Sequence, residues 1–507
     1  EICACLVGSE MCIRDSIRTG LREYHIDSHK GFFLNGEHIK LQGVSRHQDR
    51  ENMGNAITEK QHAEDIKIIL DVGANSVRLA HYQQNSYFYD LCDESGLLVW
   101  AEVPVISRFS PKRNENAEQQ LVELIKQNYN HPSIFCWGIE NEITIAGSAS
   151  KKLITFLKHM HKVARHLDPT RYTTCAQLTM CPVNSPLNHI TDIIGYNHYY
   201  GWYMGSCDEI NNWLDEWHRE NPEGKLCLSE YGAEGITKYH SDSPVQGDYS
   251  EDYQAIYHEH YIKSINERDW LWGSYVWNMF DFGSASRNEG GVRGRNNKGL
   301  VTFDRKTKKD AFWLYKAYWS DKKFVHITGE RYVNRPAGKS TIKVYSNCPE
   351  ITLEVNGKTY TKKADRVFVF DDVELKLGEN VIKARGGKVL PSHTITVNGI
   401  EKATDEYKMP AEYSSFVRNW FVAADGEGDP NKLSVEDSMG EVLSNGEVNK
   451  IIKNAAGDFA AKAVSSPLLK PIYPVKVKTM IKLAGKLGVD EKMLSLAGGF
   501  LQTIDKN

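Results

Sequence analysis

The sequence lacks a long apolar run, an excess of basic residues and any Cys-x-x-Cys pair. No stretch approaches the roughly 20 apolar residues of a membrane span. The formal net charge is −4 at pH 7, so the chain lacks the excess of positive charge with which proteins bind DNA or RNA. We therefore expect neither a membrane nor a nucleic-acid partner, and a small molecule or a neutral polymer fits better as substrate.

The ten cysteines are scattered, and no histidine is spaced from them as in a zinc site. Cys92, Cys136, Cys175 and Cys227 lie in apolar strand or helix patterns, which is typical of cysteines that pack as small buried hydrophobic residues. We expect no disulfide, no metal and no cofactor. With 507 residues, of which 41% are hydrophobic and 25% charged, the chain is long enough for two to four globular domains.

Residues 1–16 look foreign to the rest of the chain. The stretch CLVGSEMCIRDS, Cys5 to Ser16, matches neither a signal peptide nor an element of a fold, and it resembles the translation of an adaptor used in preparing DNA libraries. We expect residues 1–16 to be non-native and the native protein to be longer upstream. The sequence is therefore equally compatible with a cytoplasmic and an exported protein.

From Ile39 to Asp281, short apolar runs alternate with longer amphipathic runs, which is typical of repeated βα units. Eight strands are predicted, at Ile39–His47, Ser76–Tyr82, Leu97–Pro104, Phe135–Glu142, Thr173–Leu178, Asp192–Tyr199, Leu226–Gly232 and Ser274–Asp281. Helices are predicted between them, for example over Glu59–Val72 and Ala117–Tyr129, from the helical spacing of their apolar residues. Eight such units in about 250 residues indicate an α/β fold with one (β/α)8 TIM barrel.

Two glutamates lie where predicted strands end. Glu142 closes the fourth strand and Glu230 lies near the end of the seventh, where barrel enzymes keep their active-site groups. Hydrolysis of a glycosidic bond requires such a pair, with one carboxyl as proton donor and the other as nucleophile or base. A separation of about 5–5.5 Å between the carboxyls would support retention of configuration, and one of roughly 6.5–9.5 Å would support inversion.

After the predicted barrel, the pattern of apolar and polar residues changes twice along the chain. Residues Lys339–Val397 alternate apolar and polar side chains around an Asn356-Gly357 turn, which predicts an immunoglobulin-like β-sandwich with a hairpin. From about Lys402 the composition favours helices. Three helices are predicted there, at Ser434–Leu443, Val448–Lys453 and Lys476–Leu487. The predicted domains are the non-native segment 1–16, a barrel with an N-terminal lead-in strand over 17–325, the sandwich over 326–400 and a mostly helical accessory segment over 401–507.

Several short motifs occur together in the chain. They are Phe32–Gly36 (FFLNG), Gly43–His47 (GVSRH), Val77–Tyr82 (VRLAHY), Asn130–Ser133 (NHPS), the pair Asn141-Glu142, and Ser229–Gly232 (SEYG). Together they resemble glycoside hydrolase family 2, the β-galactosidases, β-glucuronidases and β-mannosidases. The resemblance is strong over Ile17–Trp319 and weaker over the β-domain behind it. It implies a retaining, exo-acting hydrolase that works through a covalent glycosyl-enzyme.

The resemblance also implies a role for each matched residue. Glu142 would be the general acid/base and Glu230 the nucleophile. The implied substrate-binding residues are Asn141 for the sugar 2-hydroxyl, Tyr199 as a donor to the nucleophile, Trp277 as a stacking platform, and His47 and His81 for substrate hydroxyls. The alternatives are structural roles: a capping Asn141, core packing for Tyr199 and Trp277, and locally satisfied histidines.

Neighbouring carboxyls need separate interpretation. Glu140 lies two residues before Glu142, so both side chains face the same side of a strand, and the charge of Glu140 is expected to raise the pKa of Glu142. Glu234 is expected on a loop. Metal-dependent relatives carry a glutamate and a histidine after the third strand, where this chain has Val103–Arg108, so no metal requirement is predicted.

The loop predicted after the eighth strand, Asn288–Lys298, bears on the sugar. Asn296-x-Lys298 resembles the motif with which β-glucuronidases hold the substrate carboxylate, and an ammonium group suits that task. The following Gly299–Arg305 instead resembles the metal-free β-galactosidases, in which the same lysine would serve O6 of galactose. The sequence favours a terminal β-D-galactoside as substrate, with a β-glucuronide as the alternative.

The family's N-terminal jelly-roll and first sandwich domain have no counterpart in this sequence. Since relatives use the jelly-roll to complete the active-site wall, a non-catalytic carbohydrate-binding fragment is a second alternative. A homo-oligomer is compatible with each of these interpretations.

Overall fold

The computed structural model has a parallel barrel at its centre, with β-sheets that precede the barrel and others that follow it in the chain. The residues it describes are 18–145, 149–387, 391–410, 413, 433–435, 437–449, 467–480, 501, 504 and 506, together with the backbone of 5–7 and 10–12. No helix among them is both long and apolar enough to cross a membrane.

The N-terminal part forms two small antiparallel sheets. Within the segment predicted to be non-native, β1 (Cys5–Val7) pairs with β2 (Glu10–Cys12), although the sequence suggested no secondary structure there. A three-stranded sheet follows, of β3 (Tyr24–Asp27), β4 (Gly31–Leu34) and β5 (Glu37–Ile39), where a single lead-in strand was predicted. The remaining residues of 1–16 lie outside the described part of the chain.

Eight parallel strands then close into a barrel in chain order, and the last strand pairs with the first. They are β6 (Leu41–Ser45), β7 (Ser76–Leu79), β8 (Leu98–Glu102), β9 (Ile134–Asn141), β10 (Tyr172–Leu178), β11 (Ile193–Asn197), β12 (Leu226–Tyr231) and β13 (Gly273–Val276). All eight strand predictions are confirmed, and each observed strand begins and ends within the predicted range or one residue outside it. The nearly continuous burial of these strands is typical of a parallel sheet covered on both faces.

Seven helices accompany the barrel among the described residues. They are α1 (Glu59–Val72), α2 (Ser86–Ser95), α3 (Asn114–Asn128), α4 (Lys151–Leu167), α5 (Glu209–Glu220), α6 (Glu251–Asn266) and α7 (Asp310–Trp319). The bounds of α1 agree with the prediction because both ends carry strong signals: a Thr58–Gln61 capping box begins it, and Gly73 in the left-handed conformation ends it.

Aromatic side chains fill the amino-terminal end of the barrel. Phe32 of the N-terminal sheet packs edge-on against Phe135 of β9, with ring centroids 5.5 Å apart, and Phe135 in turn packs against Trp272 at 5.8 Å. Trp100 and Tyr275 continue this cluster along the barrel axis. The sheet β3–β5 therefore plugs one end of the barrel and leaves the carboxyl ends of the strands for the site.

The segment predicted as a loop after the eighth strand is a β-hairpin, which corrects the prediction. Strand β14 (Phe282–Glu289) pairs antiparallel with β15 (Val292–Asn296), and Gly290 and Gly291 form the tip with positive φ angles. Two consecutive residues with positive φ are the requirement of a tight hairpin turn, which glycine meets without steric cost.

Two sheets behind the barrel share a hydrophobic core of their own, centred on residues such as Val344, Leu353 and Phe368. One sheet contains β16 (Val325–Ile327), β18 (Gly338–Ser346) and β21 (Val367–Leu375). The other contains β17 (Asn334–Pro336), β19 (Glu350–Val355), β20 (Lys358–Lys363), β22 (Gly378–Gly386) and β23 (Ser392–Ile400). The predicted sandwich is confirmed, and its Asn356-Gly357 turn joins β19 to β20 with positive φ at both residues.

The C-terminal segment contains α8 (Met439–Ser444), and residues 446–449 and 477–480 are also helical. These pieces overlap the three helices predicted there, but α8 extends one residue beyond the first prediction and residues 446–449 begin two residues before the second. Residues 450–453 and 481–487 of those predictions lie outside the described part of the chain.

Candidate active site

Glu142 and Glu230 lie at the carboxyl end of the barrel. Glu230 is the fifth residue of β12, and Glu142 directly follows β9 with a positive φ of 49°. The Glu142 amide donates to the carbonyl of Ala176 on β10 at 2.8 Å, which fixes this turn to the neighbouring strand. Both side chains are buried, as expected for groups in a closed substrate pocket.

Three side chains surround the Glu230 carboxyl. The Tyr199 hydroxyl donates to Oε2 at 2.6 Å and Arg78 donates to Oε1 at 2.7 Å. Nε2 of His81 lies 3.8 Å from Oε1. Burial raises the pKa of Tyr199 well above its ordinary value, so the phenol keeps the proton that it donates. Both oxygens of Glu230 are thus held by charge-assisted hydrogen bonds.

Glu142 has a pKa raised to about 8, chiefly by burial and secondly by the negative charge of nearby Glu230. A carboxyl with this pKa is protonated at neutral pH and can donate its proton. The Glu142 carboxyl therefore has the protonation state that a general acid requires at neutral pH.

The expectation that Glu140 raises the pKa of Glu142 is confirmed in direction, but Glu140 is a minor cause of the shift. Among the causes of that shift, burial and Glu230 both outweigh Glu140. Burial raises the pKa of Glu140 itself to about 8, so it carries little charge at neutral pH. Its Oε2 accepts from the amide of Ile143 at 3.1 Å and its Oε1 from Gln177 at 3.1 Å. Glu140 therefore supports the turn that carries Glu142.

Asn141 is oriented by two donors to its side-chain oxygen. Its Oδ1 accepts from Arg78 at 2.7 Å and from Nδ2 of Asn197 at 3.2 Å. With the oxygen engaged in this way, the Nδ2 group is the part of the amide left to act as a donor to a ligand.

Arg78 is the functional residue that the sequence reasoning missed. Its guanidinium group, fully buried, donates to Glu230, to Asn141 and to both oxygens of Glu102 at 3.0 and 3.1 Å. Glu102 also lies 2.6 Å from Nδ1 of His81. A single arginine in the middle of an apolar barrel strand was the available signal, because a charge is buried there only when it has partners.

Trp277 lies among the predicted histidines. The His81 ring stacks on the indole with centroids 5.0 Å apart, and His47 meets it edge-on at 5.3 Å. One face of Trp277 is thus covered by His81, so a sugar ring can stack only on the opposite face. Phe282 of β14 packs against both Trp277 and His47, which fixes the platform from the hairpin side.

Lys298 is fully buried beside Tyr199 and a second tyrosine, Tyr203. Its ammonium group donates to the Tyr203 hydroxyl at 2.6 Å and to Oε1 of Glu234 at 3.2 Å, and it lies 5.8 Å from the centre of the Tyr199 ring. Asn296 lies next to Lys298, because its Oδ1 accepts from the Lys298 backbone amide at 3.0 Å. Glu234 does follow β12 on a loop, as expected, but it is buried and paired.

Two groups of histidine and carboxylate side chains in the described part of the chain have a spacing that could suit a metal ion. One joins His326 and His393, on strands of the sandwich, with Glu330, and the other joins Asp90 and Asp93 of α2 with His131, which lies just before β9. In the first group, Nδ1 of His393 accepts from the Ile327 amide, so the neutral ring carries its proton on Nε2. Neither group lies at the barrel mouth.

A closed parallel barrel with two buried glutamates at strand ends defines the class of barrel glycoside hydrolases. The model of the "Glycosyl hydrolases family 2, TIM barrel domain" matches residues 26–324. The chain belongs to glycosyl hydrolase family 2, which confirms the resemblance drawn from the motifs.

Relatives of this chain carry two kinds of name. A β-glucuronidase of Bacteroides fragilis is 42% identical over 406 residues, which are 76% of this chain and 56% of that protein. The crystal structure of an FMN-binding β-glucuronidase from Facaelibacterium prausnitzii is 49% identical with a TM-score of 0.75, over 77% of this chain and 61% of that one. A putative β-galactosidase structure from Bacteroides fragilis is 37% identical with a TM-score of 0.73, over 78% and 60%. The chain spans about half the length of the curated relatives that it matches.

Proposed function

We propose that the chain carries the active site of a retaining, exo-acting β-glucuronidase. The observation that carries the proposal is the buried ammonium group of Lys298, which lies beside Tyr199 and therefore close to Glu230. A cation at this position suits the C6 carboxylate of a glucuronide better than the neutral hydroxymethyl group of a galactoside. The relatives named β-glucuronidase point the same way.

In the proposed reaction, Glu230 attacks the anomeric carbon while the protonated Glu142 gives its proton to the leaving oxygen. The bond to the aglycone breaks and a glycosyl-enzyme ester forms on Glu230. Glu142, now a carboxylate, then takes a proton from a water molecule that attacks the anomeric carbon and releases Glu230. Asn141, whose Oδ1 is engaged by Arg78, donates to the sugar 2-hydroxyl through Nδ2 in this reaction, and Tyr199 and Arg78 hold the nucleophile.

Lys298→Ala tests the choice of sugar. Aryl β-glucuronide, β-glucoside and β-galactoside with one common phenol are compared by kcat/KM. The glucuronide and glucoside differ only at C6, so their ratio isolates the carboxylate. We expect the glucuronide value to fall by roughly 30-fold or more, as when one partner of a buried charge pair is removed, with little change for the glucoside. Lys308→Ala, a half-exposed lysine paired with Asp71 on the outer face, is the matched control.

A β-galactosidase is the second candidate, because a 37% identical structure is named a putative β-galactosidase and because Lys298 could serve O6 of galactose. If Lys298→Ala lowers the galactoside value and leaves the glucuronide value unchanged, this second candidate replaces the first.

The pH dependence tests Glu142. Since the group must be protonated to act as an acid, and its pKa is raised to about 8, kcat/KM for a poor leaving group should fall as pH rises through about 8. In Glu142→Ala that basic limb should disappear from the residual turnover of the same substrate, whereas an activated dinitrophenyl glycoside, which leaves without protonation, should be slowed less. Turnover of the poor leaving group should fall by about 10²- to 10⁴-fold. A basic limb that persists near pH 8 in Glu142→Ala would assign the acid to another group.

A further inference from the structure

Lys298 shares its contacts with a second buried cation, Arg287. One guanidinium nitrogen of Arg287 donates to Oε1 of Glu234 at 2.8 Å and to Oε2 of Glu289 at 2.9 Å. Its second terminal nitrogen, Nη2, donates to the Tyr203 hydroxyl at 3.0 Å. Lys298 contacts the same Glu234 oxygen and the same hydroxyl. The two cations therefore share one carboxylate oxygen and one phenol oxygen.

The hairpin β14–β15 brings this second cation to the site. Arg287 and Glu289 are two residues apart on β14, so their side chains leave the strand on the same face. The hairpin tip is tied to the loop after β12, because the Tyr239 hydroxyl donates to the carbonyl of Gly290 at 3.0 Å. Glu234 comes from that same loop and is held through its Oε2 by the backbone and side-chain amides of Asn297.

Lys298 shares its carboxylate partner with Arg287. Burial raises the pKa of Glu289, which favours the neutral form of its carboxyl. Burial would also raise the pKa of Glu234, but Lys298 and Arg287 hold it below its ordinary value, so Glu234 carries a charge. The charge of Glu234 is thus divided between two cations, and the contact of Arg287 at 2.8 Å is shorter than that of Lys298 at 3.2 Å, so Glu234 does not fully neutralise Lys298.

We propose that Arg287 is a specificity-determining positioning residue that neutralises Glu234, so that Lys298 keeps an unbalanced positive charge for the C6 carboxylate of a β-glucuronide. The inference rests on the proposed function. Without Arg287, Glu234 would pair with Lys298 alone, and an incoming carboxylate would meet a pair without net charge. Arg287 also fixes Tyr203: with two N–H donors at the hydroxyl oxygen, its hydrogen points away from both cations.

The test is binding, which needs no turnover. Two isofagomine inhibitors, one carrying a C6 carboxylate and one the glucose-type hydroxymethyl group, are titrated calorimetrically into the full chain at pH 7. In wild type the carboxylate form should bind more tightly. Arg287→Met should weaken it by about tenfold or more while changing the hydroxymethyl form by less than threefold. Arg287→Lys, which keeps the charge, should retain most of the difference.

A charge-balancing second substitution separates electrostatics from hairpin stability. Arg287→Met with Glu234→Gln removes one cation and one anion, so Lys298 again has no counter-charge. The carboxylate inhibitor should then recover at least half of the lost difference in binding free energy. If Arg287 only stabilised the hairpin, the double variant would bind the carboxylate inhibitor no better than Arg287→Met does. That result, or an equal loss for both inhibitors, would overturn the inference.

Lys298→Ala separates failure of the proposed glucuronidase function from failure of the role proposed for Arg287. If wild type binds both inhibitors equally, or if Lys298→Ala leaves the preference intact, the proposed glucuronidase function fails and the role of Arg287 with it. If Lys298→Ala abolishes the preference and Arg287→Met does not, only the role of Arg287 is wrong.

Discussion

Glu230→Ala is expected to reduce hydrolysis of an aryl β-glucuronide by at least about four orders of magnitude, the scale on which loss of a nucleophile acts in a covalent mechanism. The reason is that the neighbouring carboxyls in the described part of the chain have other tasks: Glu142 is the proposed acid, Glu102 is engaged by Arg78 and His81, and Glu140 by Ile143 and Gln177. The measurement is the initial rate of phenol release from a chromogenic glucuronide, with thermal melting to verify that the variant is folded.

A chemical label supplies the second measurement. A 2-deoxy-2-fluoro glucuronyl donor with a good leaving group slows release of the intermediate, so intact wild type should gain the mass of one sugar, and peptide mapping should find it on Glu230. Glu230→Ala should gain none. Equal background rates in wild type, Glu230→Ala and Glu142→Ala would mean that this chain is not an enzyme, and a label elsewhere in an active preparation would remove the retaining assignment.

Most of the barrel could be predicted because its strands are buried on both faces and therefore read as apolar runs. The first and last residues of each strand are harder to predict from sequence, because a strand ends where its pairing ends. Ile39–His47 was predicted as one strand, yet Ile39 pairs with Phe32 in the N-terminal sheet and Leu41 with Gly273 in the barrel. The division depends on neighbours that are distant in sequence.

The two glutamates could be found because strand ends and motifs mark them, whereas their partners could not. Arg78 and Glu230 are 152 residues apart, and only closure of the barrel brings them together. Lys298 was predicted, but its neighbours Arg287 and Tyr203 were missed for the same reason. Asn288–Lys298 was interpreted as a loop because its glycines and charged residues obscure the strand pattern, although Gly290 and Gly291 are the residues that a tight hairpin needs.

The sugar was predicted from one short stretch of sequence. The stretch after Lys298 favoured a galactoside, but the relatives are mostly named β-glucuronidase, which supports the alternative. A motif of three residues identifies the lysine without giving its charge environment. That environment depends on Glu234 and Arg287, which come from a different loop and from the hairpin.

Arg78→Met is expected to lower both stability and activity. Arg78 is buried against Glu102 and Glu230, and removing one member of a buried ionic network leaves uncompensated charge, which costs about 3–5 kcal/mol of unfolding free energy. Activity should fall by roughly 10²- to 10³-fold, as for loss of one preorganised donor, because Glu230 loses its donor at Oε1 and Asn141 its orienting contact. Urea unfolding and kcat measure the two effects.

The stability effect has a pH signature. Burial by itself raises the pKa of Glu102, but Arg78 and His81 hold it below its ordinary value. A carboxyl with a depressed pKa in the folded state stabilises the fold above its unfolded pKa and loses that contribution as the pH falls. The difference in unfolding free energy between wild type and Arg78→Met should therefore be largest near pH 7 and should narrow below about pH 4.

Arg171→Met is the matched control, because Arg171 is also a buried arginine paired with a carboxylate, Asp168 at 2.7 Å, but it lies at the opposite end of the barrel strands. It should lose stability with little change in kcat once the folded fraction is accounted for. Arg78→Lys should recover part of the stability, since a charge remains, but less of the activity, because an ammonium group cannot contact Glu102, Glu230 and Asn141 in the geometry of a guanidinium. If Arg78→Met and Arg171→Met lost kcat equally, Arg78 would stabilise the barrel without orienting the nucleophile.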